Sequence, residues 1–233
     1  MQTYSTQILL CFYRMDEACS AAMDYSESEN LRFSPASYKN VWHNWLKSSR
    51  DWCISRQIWW GHQIPMWKLQ NVSLSCDKLS SMEASNASVT DDEGNVWVFG
   101  CDTDEAKYNA SKLTENASIQ EHDLKRDDDV LDTWFSSSLL PLSNFGWPQL
   151  QDSSDLAHYY PLSLMETGHD ILFFWVARMV MMGHMVTGTI PFKEVMLHGI
   201  ICDAQGRKMS KSIGNVVDPM HVINGASLKV NSD

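Results

Sequence analysis

Basic residues are scarce: 18 Lys and Arg stand against 29 Asp and Glu, for a formal net charge of −11. A broad basic face for nucleic acid is therefore excluded, although a few clustered Lys or Arg suffice to hold a phosphate. No C-x-x-C pair occurs among Cys11, Cys19, Cys53, Cys76, Cys101 and Cys202, so neither a zinc knuckle nor a dithiol redox motif is signalled. Free thiols in a reducing compartment are expected, with no zinc and no other metal ligands. No apolar run reaches the ~20 residues of a membrane span. The longest, residues 171–185, is broken by Arg178 and His184 and reads as a buried core helix, so no membrane partner is expected. Residues 9–12 are apolar but have no basic leader, so no signal peptide is expected. The Asn-x-Ser triplets at Asn71, Asn86, Asn109 and Asn116 then have no secretory context. No internal repeat is present.

What the sequence does contain is apolar and aromatic: 44% hydrophobic and 11% aromatic residues, with 10 Trp. That composition is globular, and 233 residues suit one large domain or parts of two. Three segments differ in texture: 1–67, 68–126 and 127–233. Residues 16–23 read as a short helix and 33–35 as an extended piece. Residues 38–52 read as a helix with Val41, Trp42, Trp45, Leu46 and Trp52 near one face. The segment 68–126 is rich in Ser, Asn, Asp and Glu, with strand character only at 96–99, and reads as a loop-rich surface insertion. Its acids (Asp91, Asp92, Glu93, Asp102, Asp104, Glu105) and Asp127 to Asp129 read as a solvated face.

Beyond residue 127 the pattern predicts an α/β fold. An apolar strand at 162–165, Gly168, a helix at 170–185 and an apolar strand at 195–201 make a βαβ unit. Its strands should be parallel with a right-handed crossover, and ligands should bind outside their carboxyl ends. That rule singles out 167–170, then His198, Gly199 and the loop 203–212.

The loop contains Arg207-Lys-Met-Ser-Lys-Ser212. Two ammonium groups separated by small hydroxyls suit a phosphate chain, and positive charge there stabilises charge developing in a transition state. A helix start near Ser212 or Asn215 would add backbone donors. Spaced lysines are also common on plain solvated surfaces. Gly168 permits a close ligand approach. Asp170 suits ribose hydroxyls and equally suits a helix cap. His169 and His198 fit a site or ordinary structural hydrogen bonding.

The segment Lys208-Met-Ser-Lys-Ser212 is identical to the signature loop of class I aminoacyl-tRNA synthetases. Asp127-Asp-Asp-Val-Leu-Asp-Thr-Trp-Phe-Ser-Ser137, Thr167-Gly-His-Asp-Ile-Leu-Phe-Phe-Trp175 and Arg56-Gln-Ile-Trp-Trp-Gly-His-Gln-Ile-Pro65 resemble the valine branch of that family. The resemblance covers about 33–67 and 127–228, more weakly 11–32. It implies the second half of a split Rossmann-like parallel sheet (127–233), preceded by a connective and catalytic-core segment (1–67) and the insertion (68–126). It implies ligation of valine to tRNA(Val) through valyl-adenylate, with ATP as substrate, Mg2+ accompanying it, and a cytoplasmic or organellar setting. Lys208 and Lys211 would hold ATP phosphates, with Ser210, Met209 and Ser212 supporting the loop. Gly168 and Asp170 would bind ribose, and His198 and Gly199 would line the adenosine pocket. Val130, Trp134 and one of Trp59 and Trp60 would wall the amino acid pocket, although the Trp pair also suits plain core packing.

The resemblance is incomplete. The family's H-x-G-H motif does not occur: Gly61-His62, Gly168-His169 and Gly183-His184 do not form one. The first half of the nucleotide fold, the editing domain and the anticodon-binding domain are expected to be missing, and 1–10 and 229–233 match nothing in the family. Two readings follow: an active valine–tRNA ligase, or a catalytically inactive piece that binds ATP weakly or associates with another chain through an exposed sheet edge.

Overall fold

The computed structural model describes residues 12–70, 88–91, 94–116, 118–148 and 154–225. Expectations placed on Cys11, Cys76, Asn71, Asn86, Asp92, Glu93 and the two terminal stretches lie outside the described residues. The chain runs through β1 (Phe12–Tyr13), α1 (Asp16–Glu27), β2 (Arg32–Ser34), α2 (Tyr38–Ser48), β3 (Trp52–Cys53), β4 (Ser55–Arg56) and β5 (Met66–Leu69). It continues with β6 (Ser88–Thr90), β7 (Val96–Phe99), α3 (Thr103–Thr114), β8 (Leu124–Arg126) and β9 (Val130–Leu131). After several short turns come β10 (Met165–Gly168), α4 (Ala177–Thr187) and β11 (Glu194–His198).

The expected βαβ unit is present, and it has a third strand. β10, β11 and β2 form a parallel sheet in the order β10-β11-β2. Gly168 lies opposite His198, so the carboxyl ends of β10 and β11 finish side by side. The first strand starts later than its apolar run, at Met165, because Leu162 makes only an isolated bridge to Phe192.

Periodicity explains the helices that cover the sheet. In α1 the buried Ala18, Cys19, Ala22 and Ser26 recur at helical spacing. In α2 Trp42 and Leu46 are buried one turn apart. The Trp42 indole donates to Ala22 O at 3.2 Å and its ring packs 5.2 Å from Phe33, tying α2 to α1 and β2. This helix stops short of its expected end. The Ser48 and Ser49 hydroxyls turn back onto Asn44 O at 3.2 Å and Trp45 O at 3.0 Å, satisfying terminal carbonyls. Trp52 is released into β3, opposite Tyr13 of β1.

The apolar run is the core helix expected. Its described form, His169–Thr187, is long and apolar enough to cross a membrane by length and composition, yet Ala177 and Met179 to Gly183 are buried in this fold. It ends where Gly188, at φ +72°, sends its N–H to His184 O at 2.8 Å. The main core gathers Trp42, Leu172, Val176, Met179, Phe192 and Val195.

The insertion is more ordered than its composition suggests. β6, β7, β5 and β8 form an antiparallel sheet in that order. Helix α3 is capped by Asp102, which accepts from Glu105 N at 2.9 Å. Trp67, Leu69, Val96, Val98, Ala106, Ala110, Leu113 and Leu124 make a separate core. β7 is the strand expected at 96–99, whereas β6 and β8, with three residues each, carry too few alternations to stand out within polar surroundings. Separately, β4 and β9 pair antiparallel, Ser55 with Leu131 and Arg56 with Val130, joining the two long motif segments.

Candidate active site

The turn after β10 is built for close approach. A Cβ on Gly168 would stand 2.6 Å from Ile200 Cδ1 and 2.8 Å from Asp170 Oδ1. The glycine is required there for space, since its φ of −62° is ordinary. The chain then makes a tight turn (His169–Ile171) and a widened π-type segment (Leu172–Val176) before α4. No side chain caps that turn. The Asp170 carboxylate is instead met by the Lys208 ammonium. That hydrogen bond holds the Asp170 pKa below the usual carboxylate range, against a smaller opposing effect of burial.

At the end of β11, His198 Nε2 lies 2.9 Å from Glu166 Oε1 and its Nδ1 lies 2.7 Å from Gly199 O. His169 Nδ1 is 3.1 Å from His198 O, so the two histidines lock the strand ends together. A Cβ on Gly199 would meet open space.

The lysine loop is a small hairpin organised by Asp203. Its Oδ1 accepts from Gln205 N at 3.0 Å and Arg207 N at 2.9 Å; its Oδ2 accepts from Arg207 Nε and Asn215 Nδ2, both at 2.8 Å. The Asn215 bond, then the Arg207 backbone bond, leads in lowering the Asp203 pKa. Cys202 and Lys208 bridge across the hairpin, and Met209 N reaches Ile201 O at 3.3 Å. Ser210 N donates to Asn215 Oδ1 at 2.9 Å, and the Ser210 and Ser212 hydroxyls lie 3.1 Å apart. Lys211 sits on the exposed outer turn. The helix expected near Ser212 or Asn215 starts later, at Pro219, where Asp218 accepts from Met220 N at 2.8 Å. Gly214, at φ +74°, keeps the preceding turn from extending.

The aromatic residues fall into two places. Trp59 and Trp60 are 91% and 74% exposed, edge to face at 5.6 Å. Val130 is 3% exposed, and a Cβ on Gly61 would stand 3.0 Å from its Cγ2. Trp134 lies 5.7 Å from Phe174, which follows the Asp170 turn. The structure thus brings Gly168, Asp170, His198 and Lys208 together, while the Trp59–Trp60 pair stands in solvent.

Sequence reasoning missed the buried polar groups behind these aromatics. Asp132, 5% exposed, accepts from Trp134 N at 3.0 Å, Trp52 Nε1 at 3.0 Å and Arg56 Nη2 at 2.5 Å. Arg178 stacks on Trp52, its Cζ 3.3 Å from the ring centre. Burial brings the Arg178 pKa down to about 10; Asp132 opposes that shift and Arg56 adds to it. The Asp-x-Trp spacing of 132–134, an aspartate two residues before a backbone N–H it can cap, was the available signal.

Comparison with known proteins accounts for this arrangement. The family described as tRNA synthetases class I (I, L, M and V) matches residues 7–230, and the chain belongs to it. The fold agrees: a methionyl-tRNA synthetase from Mycobacterium tuberculosis, bound by methionyl-adenylate, matches 91% of this chain and 30% of its own at 20% identity, with a TM-score of 0.54.

Its sequence is similar to valine–tRNA ligases. The Mus musculus enzyme is 48% identical over 92% of this chain, and the Macaca mulatta mitochondrial enzyme is 46% identical over 94%. A probable cytoplasmic valine–tRNA ligase of Vairimorpha ceranae is 45% identical over 91%. The chain spans only 16%, 19% and 21% of these three relatives respectively. Resemblance to the valine branch is thereby established.

Proposed function

We propose that this chain is the nucleotide-gripping part of a valine–tRNA ligase, the second half of its Rossmann-like catalytic fold. The supporting observation is the meeting of the Asp170 turn and the Lys208 hairpin at the carboxyl ends of β10 and β11. In this reading Gly168 leaves room for adenosine and Asp170 accepts from the ribose hydroxyls. His198 and Gly199 line the base side. Lys208 and Lys211 draw the phosphates from above, with Ser210, Met209 and Ser212 shaping the loop and Mg2+ entering with ATP.

Valine carboxylate attacks the α-phosphorus, the bond to the bridging oxygen breaks, and pyrophosphate leaves with the electron pair. A hydroxyl of the terminal ribose of tRNA(Val) then attacks the acyl carbon and gives up its proton, and AMP leaves with the electron pair of the broken acyl–phosphate bond. Positioned charge and orientation carry such a reaction without a covalent enzyme intermediate. Trp134 and Val130, with one of Trp59 and Trp60 turned in from solvent, would wall the amino acid side. A pocket of that kind cannot strongly reject threonine; valyl-tRNA synthetase is itself the standard example, at about a hundredfold discrimination. The setting follows the relatives, cytoplasm or mitochondrion.

Valine-dependent ATP–pyrophosphate exchange tests the reading. Exchange above background, abolished in Lys211→Ala, is expected if the chain turns over. A second reading, nucleotide binding without turnover, rests on the same geometry, because Gly168, Asp170 and Lys208 lie together within this chain. It predicts ATP binding with no exchange. An edge of β10 left unpaired among the described residues offers a route to association with another chain. Absence of both exchange and binding would refute the two readings together.

A further inference from the structure

We infer that Asp132 is a positioning residue that holds both aromatic sources of the amino acid pocket in register; this rests on the reading just given. One buried carboxylate is shared by groups from three segments. Its Oδ1 takes Trp134 N at 3.0 Å, fixing the turn that presents the Trp134 ring. Its Oδ2 takes Trp52 Nε1 at 3.0 Å and Arg56 Nη2 at 2.5 Å. Arg56 is held further by Cys53 O at 2.7 Å and Ser55 O at 2.8 Å, so its guanidinium cannot swing away.

The segment that Arg56 begins carries Trp59 and Trp60, and it is stitched to the Asp132 side along its length. Gln57 Nε2 donates to Asp129 Oδ2 at 2.6 Å, Leu131 N to His62 O at 2.7 Å and Ile64 N to Asp129 O at 3.1 Å. Asp132 N closes the row by donating to Ile54 O at 2.7 Å. Arg178 places a second guanidinium on the Trp52 ring, with Nε and Nη1 buried and without hydrogen-bond partners. Its counterion is therefore Asp132 by charge alone. Removing that charge leaves Arg56 without its ion-pair partner and takes from the buried Arg178 guanidinium the carboxylate charge that compensates it.

Trp134 lies against Phe174, and Phe174 follows Asp170 on the adenosine turn. A shift of the Asp132 joint therefore moves the amino acid wall relative to the nucleotide site, and leaves Gly168, Asp170 and His198 in place. An asparagine whose Oδ1 keeps the bond from Trp134 N turns its Nδ2, a donor, toward Trp52 Nε1 and Arg56 Nη2 and accepts from neither.

Calorimetric binding of ATP and of a non-hydrolysable valyl-sulfamoyl adenosine, on wild type and Asp132→Asn, separates the two sides. The variant is expected to bind the valyl analogue at least tenfold more weakly while ATP affinity stays within twofold. The Trp134 indole resonance should shift and the Gly168 and His198 amides should not. Trp52→Phe, which removes one donor and keeps an aromatic ring, should give a smaller loss in the same direction. It decides the matter if Asp132→Asn fails to fold. Equal weakening of both ligands would reduce Asp132 to a general structural role, and an unchanged analogue affinity would overturn the inference. Wild type binding neither ligand would refute the proposed function instead. The indole resonances then decide the role of Asp132, and an unmoved Trp134 signal rejects it.

Discussion

If Asp170 takes the ribose as proposed, Lys208 and that ribose would compete for one carboxylate. In the free chain Lys208 sits on Asp170, with side chains 61% and 28% exposed. Exposed pairs of this kind contribute about 0.2–1 kcal/mol, so displacing the lysine costs a nucleoside up to about fivefold in affinity. Lys208→Gln should therefore bind adenosine a few-fold more tightly, and ATP about tenfold more weakly through loss of the phosphate contact. Calorimetry with both ligands checks this, and parallel weakening would contradict it. Because Asp170 is held below the usual carboxylate range, its contribution is present above the unfolded value. It is lost only as pH falls through the lowered native value. Gly168→Ala is the companion test: its methyl would press on Asp170 Oδ1 and Ile200 Cδ1. Nucleotide affinity should fall at least tenfold. The melting temperature should move by only a few degrees, since the Ile200 tip can yield.

Among the elements, β11 and the residues leading into it anchor the sheet to its covering helices. Phe192 is fully buried in the main core just before the strand. Phe192→Ala should cost about 3–5 kcal/mol, read from the urea midpoint at constant slope. The helical patterns were legible because Trp42 and Leu46, or Ala18 and Ala22, repeat at helical spacing. Boundaries were less so. Nothing local distinguishes Trp52 as strand; its pairing with Tyr13, distant in sequence, moves it out of α2. Within the insertion β7 was legible at 96–99, but β6 and β8 were not, since each is shorter than the window in which alternation registers.

Across the molecule, the described residues form two separate cores, one under the parallel sheet and one in the antiparallel unit. They should respond separately to damage. A Cβ on Gly100 would stand 2.6 Å from Ala106 N, a backbone atom that cannot step aside. Gly100→Ala should therefore strip hydrogen-exchange protection from β5 and β7 and leave α4 and β11 protected. Loss of protection throughout would show the cores to be coupled.

At this same scale the family resemblance and the strand–helix–strand order were legible in advance, and the arrangement only in part. The Lys208-Met-Ser-Lys-Ser212 loop, the Gly168–Asp170 turn and the βαβ order follow from local pattern, because residue type, spacing and strand ends are properties of short stretches. Tertiary structure alone decided that Lys208, and not Lys211, meets Asp170, that Val130 turns inward against Gly61, and that one carboxylate at Asp132 serves groups from three segments. Apart from the local bond between Trp134 N and Asp132, each is a contact between residues far apart in the chain. Which of several candidate side chains makes such a contact depends on how strands and helices come to rest on one another, and no short stretch of sequence contains that information.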